Sequence, residues 1–522
     1  MANKSVMVHQ FSQVPRVNVP RSSFDRSHGV KTTFDKANLV PIYWDEALPG
    51  DTFNLKTTLF GRLATPIHPF MDNVFLETFF FAVPYRLIWD NFKKFMGEQD
   101  APGDSVDYKI PTVSVTPSIQ SLFDYMGLPA GRPCTVSALP FRAYNLVYNE
   151  WFRDQNLQGS RSVPKDDGPD ASSAYNVLKR NKKHDYFTSA LPWPQKGPEI
   201  NIGTTGLAPI VAGPGVTDQA NVVVRDFDAA TRDRGLTATG AGSAVQFGSL
   251  GPIDTTNPNM FADLAAAAAT TINSWRQAFQ IQRMQERDAR SGTRYIEKVL
   301  AHFGVTSPDA RQQRSEYLGG GSERININPV AQTSKTESGE TDPSPQGNLA
   351  AYGTVSGKSH GFTKSFTEHC IILGLVNLRA DITYSQGIRR GFLRETMLDH
   401  YFPALSHLGE QTIRNSEIYH MGEQADSETF GYQERWAEYR YFPSQITGKF
   451  RPGISGTLDV WHVSEQFETR PGLNSTFITD NPAIERVLAV PTEPHVILDA
   501  YLQLKCARPM PVYSVPGMID HF

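Results

Sequence analysis

With 522 residues the chain is long enough for a large core, but 40 Gly and 36 Pro punctuate it too often for long helical bundles and suit many short strands joined by wandering loops. A formal net charge of −4 supplies no global field that demands a nucleic-acid or membrane partner, so local charge must carry any such role. Cys134, Cys370 and Cys506 are too scattered for a disulfide framework or a zinc site and read as buried thiols, while the opening MANKSVMVHQFSQVPR lacks a signal-peptide core and no run approaches a membrane span, so a cytoplasmic origin is expected.

Residues 1–36 carry Lys4, Arg16, Arg21, Arg26, Lys31 and Lys36 against only Asp25 and Asp35. This predicts an extended basic N-terminal arm, which either contacts phosphates or lies solvated across a neighbouring subunit. From 37 to 196 the chain reads as the first part of a β-fold with long loops. Its densest piece, VFLETFFFAVP at 74–84, puts Phe75, Phe79, Phe81 and Val83 on one side of an extended chain and Val74, Leu76, Phe80 and Ala82 on the other. An exposed hairpin would alternate apolar with polar, so this core strand predicts cover on both faces, by a core and by loops or a neighbouring chain. Only Glu77 and Thr78 interrupt it. Further on, FRAYNLVYNEWF at 141–152 repeats Tyr144, Val147, Tyr148 and Trp151 at helical spacing, a face that suits core packing better than base stacking. The run KRNKK, with Lys179, Arg180, Lys182 and Lys183, is either a solvated face or, if it faces a genome, a set of phosphate contacts.

Composition shifts at 197. From there to 258 the chain is Gly-, Ala- and Thr-rich with no Trp, Tyr or Cys, which cannot build much core and predicts a functional excursion with its own small strands, one of them at Val222 to Val224. Residues 259–345 read as a helical insert followed by a polar loop. A helix capped by Asp263 carries Leu264, Ala268, Ile272, Trp275 and Phe279 on one face, a shorter helix packs through Tyr295, Val299 and Phe303, and a linker runs from 319 to 346. The last part, 346–522, supplies strands at 369–376, 434–441, 457–463 and 495–506. In the last of these Val496, Leu498, Ala500, Leu502, Leu504 and Cys506 share one face while Asp499, Gln503 and Lys505 lie opposite. Strong strands near both ends of the chain predict one antiparallel sandwich closed by its first and last parts.

No catalytic, metal or cofactor motif is present. GTVSGKS at 353–359 has three residues between its glycines where a phosphate-binding P-loop needs four, and reads as a Gly/Ser loop. There is no HExxH, no Cys/His ligand cluster and no GxSxG elbow, so nothing in the pattern calls for an enzyme or a cofactor.

The blocks IYWDEALPGDTFNL, TPIHPFMDNVFLETFFFAVPYRLIW, FQIQRMQERDARSGTRY, HFGVTSPDARQQRSEYLGG and the closing GMIDHF resemble the major capsid proteins of gokushoviruses, small single-stranded DNA bacteriophages of the microvirus family. The resemblance spans the chain except 197–258. It implies a mainly β fold, an eight-stranded antiparallel jelly roll with large loop insertions and a few helices, assembled as a T=1 icosahedral shell around a circular single-stranded DNA genome. It also implies an internal scaffolding protein, a DNA pilot protein and a small basic DNA-binding protein as partners, assembly in the bacterial host cytoplasm, and residence in the virion. The 197–258 insertion then falls where the family carries a threefold protrusion thought to meet a host-cell receptor. Residues that would touch the genome are Arg16, Arg21, Arg26 and Lys31 in the arm, with Lys179, Arg180, Lys182 and Lys183 behind them. A carbohydrate-binding or carbohydrate-active jelly roll is the alternative, because that fold also carries lectin and hydrolase sites.

Overall fold

The computed structural model describes residues 20–198, 200, 272–292, 294–306, 313–334 and 346–513, with short strands between 210 and 262. Two compact units divide the chain: Met1–Pro194 with Ser291–Phe522, and Gln195–Arg290.

The larger unit is an antiparallel β-sandwich with a helical layer on one side. In chain order its first strands are β1 (Ser22–Asp25), β2 (His28–Phe34), β3 (Val40–Ala47), β4 (Thr52–Leu63) and β5 (Val74–Pro84), followed by the helix α1 (Leu139–Val147). After the other unit come β6 (Glu316–Arg324), β7 (Asn326–Ala331), β8 (Leu349–Ser365), β9 (Cys370–Ala380), the hairpin β10 (Glu410–Arg414) and β11 (Thr429–Glu434), and β12 (Val496–Arg508). One sheet has six strands in the order β1, β12, β4, β8, β7, with β2 also pairing along β12. The other has four, in the order β6, β5, β9, β3. The first and last parts of the chain do lie side by side: β12 pairs with β4 from Val496 opposite Leu63 to Ala507 opposite Thr52.

Burial follows the sequence pattern. Along β4 every second residue, from Phe53 to Leu63, is buried, and β12 repeats this from Val496 to Cys506, so each turns one face inward and one to solvent. Between the sheets two apolar cores form. One holds Leu63, Leu76, Val376 and Leu498, the other Phe53, Phe80, Ile372 and Leu504. A third core lies on the far face of the smaller sheet, where Phe81, Val83, Ile371 and Leu373 pack against Phe141, Tyr144 and Val147 of α1. The two-faced cover expected of β5 is therefore present, with the second sheet on one side and α1 on the other. Its neighbour β9 is buried at every position. Phe79 is half-buried against Phe152, at 5.3 Å between ring centroids, and Phe75 lies beneath the Arg379 guanidinium at 4.8 Å.

Several expectations need correction. Ser22–Asp25 and His28–Phe34 hydrogen-bond along β12 as β1 and β2, so that part of the arm belongs to the sheet. The glycine run at 319–321 is not linker but part of β6, paired along β5. A Cβ on Gly320 would stand 2.0 Å from the Thr78 carbonyl oxygen, and one on Gly321 2.4 Å from the His360 ring, so close approach is what these glycines serve. GTVSGKS likewise lies within β8 opposite β4, where a Cβ on Gly353 would meet Leu63 at 2.8 Å. The strand read at 434–441 stops at Glu434, because Trp436 turns to φ +70° and its indole donates to the Leu405 carbonyl at 3.1 Å. The segment 457–463 is a single 3-10 turn, Asp459–Trp461.

The smaller unit contains the helix α2 (Ile272–Arg290), a three-stranded antiparallel sheet that includes Val222–Arg225, and a two-stranded pairing of Met260–Ala262 with Ile210–Ala212. The proposed cap Asp263 lies outside the described residues. The larger unit resumes with the helix α3 (Tyr295–Phe303), closed by Gly304 at φ +69°. It forms where its sequence predicts, but Tyr295 and Phe303 are 80% and 78% exposed instead of packed.

Candidate nucleic-acid interface

The structure sorts the sequence-predicted basic residues into different surroundings. Arg16 lies outside the described residues. Arg21 donates from Nη2 to the Thr52 hydroxyl and to the Ala507 carbonyl at 3.3 Å, fastening β1 to the sheet. Arg26 grips both carboxylate oxygens of Asp45, at 2.5 and 3.1 Å. Lys31 reaches Asp499 across the exposed side of the sheet at 2.7 Å, an exposed pair worth about 0–1 kcal/mol. Lys179 and Lys183 are exposed, and between them Arg180 and Lys182 turn inward.

That inward turn explains the acid that interrupts β5. The Glu77 carboxylate accepts from Arg180 Nη1 and from Arg379 Nε at 3.2 Å, and Arg379 also donates to Asp381 at 3.0 Å. Two guanidiniums around one carboxylate offset much of the cost of burying charge in a sheet. Burial and the neighbouring Arg379 pull Arg180 down to about 10, so it stays protonated at neutral pH. Buried Lys182 donates to Glu465 and sits 4.6 Å from the Phe477 ring. Nearby, burial and the Glu465 charge push the Asp480 carboxyl up to about 6. Lys36 is likewise interior, donating to Glu485 at 2.5 Å and to the Pro482 carbonyl at 2.6 Å. Arg26, Arg180 and Lys182 thus hold the fold together through internal partners.

Above this network lies a cleft of about 360 Å³. Phe79, Phe81, Trp151 and Tyr317 form its aromatic side, Arg153 and Lys183 bring positive charge to it, and Asp154 and His184 complete the polar lining. Trp151 lies 5.6 Å from Phe81 and 6.0 Å from Tyr317, with the Arg314 guanidinium 3.8 Å from its ring. Trp151 and Tyr317 keep exposed ring surface on which a flat base can rest while its phosphate approaches Lys183, the combination that sequence-tolerant single-strand binders use. The helical aromatic face is core at Tyr144, Val147 and Tyr148 and enters this cleft only at Trp151.

A second surface matches no basic run in the sequence, although the same alternation that marks the core encodes it. The outward residues of β4 and β12 include Lys56, Phe60, Arg62, Tyr501 and Lys505, all exposed. The register sets Tyr501 opposite Thr58, Gln503 opposite Lys56 and Lys505 opposite Asn54, so these side chains share one face. Exposed Tyr352 extends it on β8 and Lys31 on β2, with Asp499 between Lys31 and Phe60. A flat sheet face carrying aromatic rings among lysines and an arginine suits stacking on bases and neutralising phosphates.

Among the described residues no group of three or more His, Cys, Asp or Glu could hold a metal ion, and no helix is long and apolar enough to cross a membrane.

A family described as capsid protein (F protein) matches residues 12–518. The chain is 46% identical over 531 residues to capsid protein VP1 of Bdellovibrio phage phiMH2K, covering 98% of each chain. It is 43% identical to capsid protein VP1 of Chlamydia phage 1, again over 98% of each, and 35% identical to capsid protein VP1 of Spiroplasma virus 4 over 99% of each.

Proposed function

This chain belongs to the phage capsid protein (F protein) family, and we propose that it builds a T=1 icosahedral shell, one copy per asymmetric unit, around a circular single-stranded DNA genome. As a family member it is a structural protein of the virion that associates with its own copies, not an enzyme. The observation that carries the DNA half of the reading is the outer face of the six-stranded sheet, where Lys56, Arg62 and Lys505 stand among Phe60 and Tyr501. The chain's near-neutral net charge limits repulsion between packed copies, so genome neutralisation falls to such local patches, to a small basic DNA-binding protein or to cations. Arg16, Arg21, Lys31, Lys179 and Lys183 are further contacts in this reading; Arg26, Arg180 and Lys182 act through the fold that presents them. Assembly proceeds in the bacterial cytoplasm with an internal scaffolding protein and a DNA pilot protein, and 197–258 meets the host-cell receptor.

Electron microscopy of the chain co-expressed with its phage's scaffolding protein tests the shell: closed particles of uniform size support it, and persistent monomers end it. For the DNA interface, the Lys56→Glu, Arg62→Glu, Lys505→Glu triple variant should bind single-stranded DNA with a shallower salt dependence, the log–log slope falling by about 0.7 for each phosphate no longer neutralised. An unchanged slope removes this face from the interface.

A further inference from the structure

We propose that the aromatic surface spanning residues 389–442 is a head-to-tail contact between copies of this chain, in which a pocket on one subunit receives the exposed face of α3 from the next. The inference rests on the shell reading above and names the surfaces that would make one of its contacts.

The pocket measures about 230 Å³ and opens between Tyr384, Arg390, Tyr441 and Phe442. Its two carboxylates already have partners. Glu417 accepts from the Tyr186 hydroxyl at 2.9 Å and from Arg390 at 2.8 Å, and Glu438 accepts from Gln411 at 2.7 Å. Arg389 is spread over the Phe442 ring at 4.0 Å, and Arg394 over the Tyr439 ring at 4.5 Å. With both carboxylates paired and the Arg389 and Arg394 guanidiniums lying over aromatic rings, the apolar walls are what the subunit leaves without cover. Phe392 is 82% exposed and Phe442 68%, with Tyr439 and Tyr441 beside them also exposed. Exposed aromatic rings at the mouth of a concave pocket are what partner surfaces show.

The matching convex feature is on the same chain. α3 turns Tyr295 and Phe303 to solvent two turns apart on one face, with Leu300 and Val305 exposed close by. The start of the helix is tied to the larger unit and capped. Arg294 donates to the Glu150 carbonyl at 2.8 Å and to Glu297 at 2.7 Å, and the Glu297 carboxylate accepts from the Arg294 backbone amide at 3.2 Å. Gly304 closes the last turn, so Phe303 stands at the far tip of the helix. An apolar knob ordered before contact loses little entropy on docking. Knob and pocket are different surfaces of one chain, so the contact is heterologous and propagates around an axis until a ring closes, as a closed shell requires.

Phe442→Asp removes the pocket wall and Phe303→Asp the knob, both at exposed positions. Circular dichroism and melting should match the unsubstituted chain, with Phe442→Ser and Phe303→Ser as second variants if either aspartate unfolds it. In sedimentation velocity with the scaffolding protein, each variant alone should stay unassembled. A 1:1 mixture, in which the intact knob of one meets the intact pocket of the other, should restore this one contact and sediment faster than either variant alone. Particles from either variant alone, or a mixture that sediments no faster than the variants alone, overturn the contact. An unsubstituted chain that forms no particles overturns instead the shell reading on which it rests.

Discussion

Two aromatic-rich regions of this molecule meet opposite fates. In β5, Phe79, Phe80 and Phe81 follow one another in a strand covered on both faces, and Phe80 and Phe81 are almost wholly buried. Across 389–442, Phe392, Tyr401, Phe402, Tyr439, Tyr441 and Phe442 remain exposed, the last three of them lining a pocket. Residue type does not separate them. The difference is that β5 has hydrogen-bonded neighbours on both sides, β6 and β9, and a core above and below, whereas the exposed rings of the second region stand on short 3-10 turns and irregular chain outside the β10–β11 hairpin, without a covering layer. Apolar surface that a subunit leaves uncovered is what a self-associating protein has to offer another copy.

Substitutions can break or sharpen this contrast. Phe80→Asp places a carboxylate between the two sheets and should cost more than about 4 kcal/mol, leaving no cooperative melting transition. Phe79→Asp acts at the half-buried side, where the Arg180 guanidinium lies 5.1 Å from the ring; it should still abolish soluble particles, and normal assembly would show that β5 tolerates charge on its cleft side. Asp480 brings a pH signature. Its folded pKa of about 6 exceeds the ordinary aspartate value of 3.8, so the folded chain holds this proton more tightly and loses stability as pH rises from about 4 to 6. Asp480→Asn should therefore raise stability above pH 6 by about 2–3 kcal/mol and change nothing near pH 4, measured as urea midpoints across that range. Gly320→Ala drives a methyl into the Thr78 carbonyl and should cost about 1–3 kcal/mol in the same assay. Phe392→Ser, in the exposed region, should shift stability by less than about 0.5 kcal/mol, and a larger loss would mean that this surface is already packed within one subunit.

The sequence showed most of the sandwich wherever its signal was local and periodic. The two-sided apolar run of β5, the buried run of β9 and the alternation of β12 each state a strand and its faces, because side chains on an extended chain repeat every second residue. Of the candidate interface, the basic residues were legible as residues but not as surfaces. Lys183 faces a cleft, Lys182 one position earlier is buried on Glu465, and Glu77 reads as an interruption until Arg180 and Arg379 are seen around it.

By itself, then, the sequence determined the strand-rich class, the pairing of the chain's two ends and, through long matching blocks, the capsid family. Only the tertiary structure decided that the glycines of β6 and β8 are strand, since their need for close backbone approach comes from partners such as Thr78 and Leu63. It alone decided that α3 forms with its aromatic face uncovered. Periodicity reports which residues share a face; what covers that face depends on segments hundreds of residues away, or on another copy of the chain.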